Sequence, residues 1–160
     1  GKQDDEDCKN LFFYVSSSEW NLYEFIDSIM RKYKMPKGIL KLKDIKSGIS
    51  DFLFTGRGNH DHKFEKIKDI ISFYPELGFV LLGDDSQQDP FLYERIVKIF
   101  PLSISALYIR QTRSQKKSVV ERTLKNIESL GVSTCYFKNS GDAILHSKRI
   151  GIIAKEKVTG

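Results

Sequence analysis

Apolar residues along this chain of 160 residues fall into two kinds of run that take turns. Short dense runs, Leu11-Phe12-Phe13-Tyr14-Val15 and Phe79-Val80-Leu81-Leu82 among them, are rich in β-favouring side chains. They read as strands buried on both faces. Between them, apolar positions recur every three or four residues, the spacing of one face of a helix. Leu22, Ile26, Ile29, Met30 and Tyr33 form the first such stripe, with Ser18 placed as its N-cap and Met35-Pro36-Lys37-Gly38 as its stop. Phe64, Ile67, Ile70, Ile71 and Tyr74 form the second, ended by Pro75. Pro90 opens a third through Leu92, Tyr93, Ile96 and Phe100. A fourth carries Val120, Leu124, Ile127 and Leu130 with Gly131 beyond it, and a fifth covers Asp142 to Ile150.

The remaining strands are predicted at Ile39–Asp44, Ile104–Ile109 and Ser133–Phe137. In the first of these, Leu40 and Leu42 alternate with Ile39, Lys41 and Lys43, as in an outer strand open on one face. Lys46 to Asp61, with three glycines, reads as a loop. Strands alternating with helices predict an α/β fold, a parallel sheet with helices on both faces. Right-handed crossovers then bring the ends of Val15, Asp44, Leu82 and Ile109 to one edge. In such sheets ligands bind at that edge. Neither an internal repeat nor a domain boundary is visible: residues 1–10 read as an acidic lead-in and 11–160 as a single α/β domain.

Composition narrows the class. The chain is 40% hydrophobic and 29% charged, as in a globular protein. No run is long enough for a membrane-spanning helix, and Gly1 to Asn10 lacks the basic-then-apolar order of a signal peptide. Cys8 and Cys135 are too few for a disulfide framework or a tetrahedral zinc set, so a reducing cytoplasm is expected. Net charge is +5, and setting aside the acidic lead-in leaves 24 basic against 17 acidic side chains. That balance suits an anionic partner such as a phosphate ester or acidic lipid, and equally a solvated lysine-rich surface. Basic and aromatic residues interleave too sparsely for a nucleic-acid stripe.

The strand ends carry the chemistry. Phe79 to Leu82 delivers Gly83-Asp84-Asp85-Ser86-Gln87-Gln88-Asp89-Pro90, whose carboxylates are hard oxygen ligands suited to Mg²⁺ shared with a substrate phosphate. Ser16-Ser17-Ser18 offers hydroxyls and free N–H groups for a phosphoryl oxygen, or simply an N-cap. Lys63, placed near a helix start, is easier to accommodate there if it faces an anion, although a solvated lysine explains it too. Arg57 and His60 could hold an anionic headgroup beside it. His60 and His62 flank Asp61, but without a third nitrogen or sulfur ligand they do not make a zinc site.

The order Ser16, Lys63, Gly83-Asp84-x-x-x-x-Asp89 resembles the second, third and fourth motifs of the haloacid dehalogenase superfamily of phosphotransferases. More narrowly, four segments resemble the catalytic domain of the actin-patch-type, Mg²⁺-dependent phosphatidate phosphatases and their bacterial relatives. They are Phe13-Tyr14-Val15-Ser16-Ser17-Ser18-x-Trp20-x-Leu22-Tyr23, Pro36-Lys37-Gly38, Phe79-Val80-Leu81-Leu82-Gly83-Asp84-x-Ser86-Gln87-x-Asp89-Pro90-x-x-Tyr93, where Asp85 takes the place of a smaller polar residue, and Ala106-Leu107-Tyr108-Ile109-Arg110. The resemblance implies a Rossmann-like sheet and phosphomonoester hydrolysis through an aspartyl-phosphate. The substrate would be a phosphorylated small molecule or phospholipid, with peripheral contact at a membrane. By the same resemblance Ser16 binds the transferring phosphoryl group, with Ser17, Arg57 and His60 as further substrate contacts. Lys63 neutralises its charge, Asp84 ligates Mg²⁺, and Asp85 or Asp89 supplies the second carboxylate.

One departure stands out. The family's first motif, Asp-x-Asp-x-Thr on the central strand, supplies the nucleophile and the general acid/base, and this chain has none. Asp5-Glu6-Asp7 has the carboxylate spacing, but no apolar strand precedes it. Two readings follow. In one, the chain is the carboxyl-terminal part of a longer catalytic domain, inactive alone, whose motif comes from its own or another chain. In the other it is a non-catalytic phosphate- and metal-binding module.

Overall fold

The computed structural model describes residues 10–19, 23–43, 58–86, 88–112 and 116–153, without the side chains of 17–19, 43 and 58–61. Ten elements alternate as expected: β1 (Phe13–Glu19), α1 (Tyr23–Lys32), β2 (Ile39–Lys43), α2 (Gly58–Phe73), β3 (Phe79–Asp84), α3 (Asp89–Ile99), β4 (Ile104–Arg110), α4 (Lys117–Ser129), β5 (Ser133–Phe137) and α5 (Ser140–Arg149). All strand pairings are parallel. The fold is α/β. Where alternation alone predicted one sheet, the described strands form two, β1-β2 and β3-β4-β5. The chain divides into compact units at Gln3–Asp69 and Ile70–Gly160, a division that falls inside α2 and that no change in composition marks. No helix among the described residues is long and apolar enough to cross a membrane.

In the first unit, β1 runs on through the three serines. The parallel ladder with β2 pairs Phe13 with Ile39 and Glu19 with Lys43, and an irregularity after Val15 takes up the extra residues. Ser18 therefore lies in a strand and is not the cap of α1, which is described over Tyr23–Lys32. Alternation in β2 holds: Leu42 is buried while Ile39 is exposed. The Pro36-Lys37-Gly38 segment closes against β1. Tyr14 donates its hydroxyl to the Pro36 carbonyl at 2.8 Å, and Ile39 N–H donates to the Phe12 carbonyl at 2.8 Å. A Cβ on Gly38 would stand 2.5 Å from the Phe12 carbonyl oxygen, so only glycine fits. Tyr33, counted in the stripe of α1, lies beyond its end and is exposed. Helix α2 starts at Gly58, so residues 58–61 are helical and not loop. Glycine and asparagine disfavour helix interiors but are tolerated in a first turn, and the burial of Phe64, Ile67, Ile70 and Ile71 fixes the rest.

In the second unit β4 is the central strand, and its Ala106, Leu107, Tyr108 and Ile109 are all buried. Two helices cover one face. Tyr93 of α3 packs at Gly83, and α3 is tied to α4 by Asn126 donating to Glu94 at 3.1 Å. Ile96, Val97, Val120 and Ile127, all with no accessible surface, form the core there. Burying each such side chain stabilises the fold by about 1.5–3 kcal/mol. Exposed helix pairs such as Lys98–Glu94 and Lys117–Glu121 take up some of the basic charge internally. Each adds only about 0.3–0.5 kcal/mol.

Helix α5 covers the opposite face through a directed chain of hydrogen bonds. Ser147 donates its hydroxyl to the Ala143 carbonyl at 2.8 Å and so accepts from the Tyr108 hydroxyl at 2.6 Å. Tyr108 in turn accepts from His146 Nδ1 at 3.1 Å, leaving Nε2 to accept from the Ser133 hydroxyl at 3.0 Å. That accounting places the His146 proton on Nδ1 with the ring neutral. Burial first, then the Arg149 charge, lowers its pKa below the ordinary 6.5, against a smaller opposing pull from Glu128. A histidine kept neutral in the fold and free to protonate when unfolded contributes stability that is complete above pH 6.5. That stability should drain away as pH falls below this value. Denaturant melts of the protein from pH 7.5 to about pH 5 should show the decline, and His146→Phe should flatten it.

Candidate functional site

The apolar run of β3 ends in two carboxylates that go opposite ways, because successive side chains on a strand face opposite sides. Asp84, in register with Arg110 of β4, shares the face of Leu82 and Tyr108. Its Oδ1 accepts from the backbone N–H of Ser86 at 2.8 Å and from the Ser86 hydroxyl. This is the short turn an aspartate makes with its own backbone two residues on. No described residue donates to its Oδ2.

Asp85 is the reverse case, with 0% of its surface accessible. Its Oδ1 accepts from Thr112 N–H at 2.6 Å and from the Thr112 hydroxyl, and its Oδ2 accepts from Tyr136 at 2.6 Å. Burial pushes its pKa up, but the bonds from Thr112 and Tyr136 outweigh it and hold the carboxyl below its ordinary value. The Tyr136 phenol shifts strongly upward in return, by burial first and then by its bond to Asp85. With both oxygens taken, Asp85 is not placed to be the second metal carboxylate.

Asp89 lies in the first turn of α3, where the positive end of the helix favours a carboxylate, with Pro90 behind it, and it too is engaged in an interaction. The carboxylate is buried, and Oδ2 would be 2.6 Å from a Cβ on Gly83. Tyr93 completes the corner. Its hydroxyl donates to the Leu82 carbonyl at 2.7 Å, and burial followed by the charges of Asp89 and Asp84 drives its pKa far up. The glycine of the motif thus makes room for a carboxylate and a ring.

Within the second unit, then, Asp84, Asp89 and Tyr93 gather at the end of β3. Two hard carboxylates are what Mg²⁺ takes from protein when waters and a phosphate fill the rest. The described residues include no cluster of three or more acidic, histidine or cysteine side chains for a metal. The other expected residues belong to the first unit. Ser16 sits half-buried inside β1, not beyond it, and is already engaged in an interaction. Lys63 lies in the second turn of α2, half-buried and also engaged, because the helix starts earlier than expected. The side chains of Ser17 and His60 and the whole of Arg57 lie outside the described residues, as does Trp20. His62 is described, and its buried Nε2 has no hydrogen-bond partner. Burial foremost raises the pKa of Cys135, so this thiol is not primed as a nucleophile.

Sequence reasoning missed Thr112 and Tyr136. Its only hint was a second acid directly after Asp84, since adjacent strand residues cannot both face one ligand.

In open parallel α/β sheets ligands bind at the carboxyl ends of the strands, and Asp84 stands at such an end. The family model for the catalytic domain of phosphatidate phosphatase APP1 matches residues 2–111, and the chain belongs to that family. Phosphatidate phosphatase APP1 of Saccharomyces cerevisiae is 29% identical over 102 residues, covering 62% of this chain and 16% of the yeast protein. No solved structure matches the chain.

The fit at Gly83 has a measurable consequence. Gly83→Ala must displace Asp89 or the Tyr93 ring, which stands 2.9 Å from the added Cβ. Denaturant melts should show a loss of about 1–3 kcal/mol, and unchanged stability would mean that Asp89 does not close over the glycine.

Proposed function

We propose that this chain supplies the phosphate- and Mg²⁺-binding part of a Mg²⁺-dependent phosphatase that works through an aspartyl-phosphate. The observation that carries the reading is the end of β3, where no described residue donates to one Asp84 oxygen and the charges of both Asp84 and the buried Asp89 reach Tyr93. Asp84 and Asp89 would hold the ion, which when bound supplies positive charge to the transferring phosphoryl group. Ser16 would donate to a phosphoryl oxygen and Lys63 would balance its charge, as the family pattern implies. Electrostatic stabilisation of this kind is the main device of phosphoryl transfer. Phosphatidate is the substrate class the family name offers, and the proposed reaction would then run at a membrane surface in contact with the cytoplasm. Ser17, Arg57 and His60 are the proposed headgroup contacts.

The nucleophile would come from an Asp-x-Asp-x-Thr strand outside this chain. Support comes from β3 itself, which pairs only with β4 among the described strands. Its Leu82 is 68% exposed in a run patterned for burial on both faces. A strand added at that edge would pair the open ladder and deliver its carboxylates beside Asp84.

The test is Mg²⁺-dependent phosphate release from a generic phosphomonoester by the intact protein. Asp84→Asn should lower the rate about a hundred-fold or more. Activity that survives the substitution removes Asp84 from the site. A wild type with no turnover but Mg²⁺-dependent binding of inorganic phosphate would instead support the non-catalytic module.

A further inference from the structure

We propose that Asp85 is a positioning residue that aims the Asp84 carboxylate, and that Thr112 and Tyr136 are the groups that hold it. The proposal rests on the reading of Asp84 as a metal carboxylate.

Asp85 is clamped through both its backbone and its side chain. Its N–H donates to the Arg110 carbonyl at 3.1 Å, and its carboxylate accepts from two groups of Thr112 and from Tyr136. The residue directly after Asp84 is thereby fastened to the end of β4 and to β5. Fixing one residue of a strand fixes the direction of its neighbour, so the clamp sets which way Asp84 points. Ser86, next in the chain, is exposed, and its hydrogen bonds run back to Asp84.

A purely structural role is a weaker account. An apolar residue in a buried spot of this size commonly serves stability as well as a buried carboxylate does or better. A charged group with three directional bonds restricts orientation in a way that an apolar contact does not. Both partners also lie beyond residue 111, where the family match ends. Strand β5, outside the matched segment, therefore takes part in shaping the motif loop inside it.

Two measurements on the intact protein test this, neither of which needs turnover. In the metal-free wild type the Thr112 amide should exchange slowly with solvent. Asp85→Ala should abolish that protection while the Leu107 amide keeps its own. Mg²⁺ alone, titrated through the amide signals of Asp84 and Ser86, should then show a midpoint raised about ten-fold or more in Asp85→Ala and in Tyr136→Phe. Asp85→Asn should return most of the wild-type midpoint, because its amide oxygen can still accept from Thr112. Should Asp85→Ala fail to fold, Tyr136→Phe carries the same comparison with one hydroxyl removed. Variants that lose stability yet bind Mg²⁺ at the wild-type midpoint would overturn the proposal and leave Asp85 a stability residue. A wild type whose Asp84 amide ignores Mg²⁺ would overturn the metal reading itself, and that failure shows before any Asp85 variant is made.

Discussion

Burying the Asp85 carboxylate costs on the order of several kcal/mol unless hydrogen bonds replace the water it loses. Thr112 and Tyr136 supply three such bonds, and each bond to a charged group is worth about 1.5–3 kcal/mol. Together they offset a cost of that size. The end of β3 is consequently tied to the end of β4 and to β5, and the geometry of the motif loop follows from that tie. Asp84 faces the other way with an oxygen to spare, and α3 begins where Asp89 can turn back over Gly83. Hydrogen-bond saturation of one carboxylate is what leaves its neighbour available.

Steric exclusion governs the other side of the same corner. The space over Gly83 is filled by Asp89 and by the Tyr93 ring, which the Leu82 carbonyl holds through its hydroxyl. Gly38 repeats the principle in the first unit, where the Phe12 carbonyl and the Tyr14 ring occupy the place of a side chain. Gly38, Gly83 and Tyr93 thus serve the packing of these corners.

How much was legible in the sequence depended on the range of the forces involved. Helices α3 and α4 and strands β4 and β5 fell close to their expected places, because periodicity, Pro90 and Gly131 are local signals. The starts of α1 and α2 did not. Ser16 to Ser18 carry cap-forming side chains, yet the ladder offered by β2 keeps them extended, and pairing between distant strands leaves no local trace. Gly58 to Asp61 have loop composition and are drawn into a helix whose apolar face lies further on. At the site, Gly83, Asp84 and Asp89 were readable as a motif. The fate of Asp85 was not, because its partners stand 27 and 51 residues away.

Strand β3 carries a tension between its pattern and its surroundings. Phe79 to Leu82 is apolar at every position, the signature of a strand covered on both faces with neighbours on both sides. Among the described strands it has one neighbour, and Leu82 stands open on the face that Asp84 shares. Natural edge strands protect themselves with charge, proline or a bulge; in β3 the only charge, Asp84, comes at the very end, and the irregularity of its ladder with β4 lies at Phe79 and Val80. Such an edge is a poor one to leave exposed and a good one to extend. A strand laid along it would cover Leu82 and reach the level of Asp84 at its own carboxyl end, where parallel sheets place their chemistry. The clamp on Asp85 faces away from that edge, so the new strand could pair without disturbing the carboxylate already set in place.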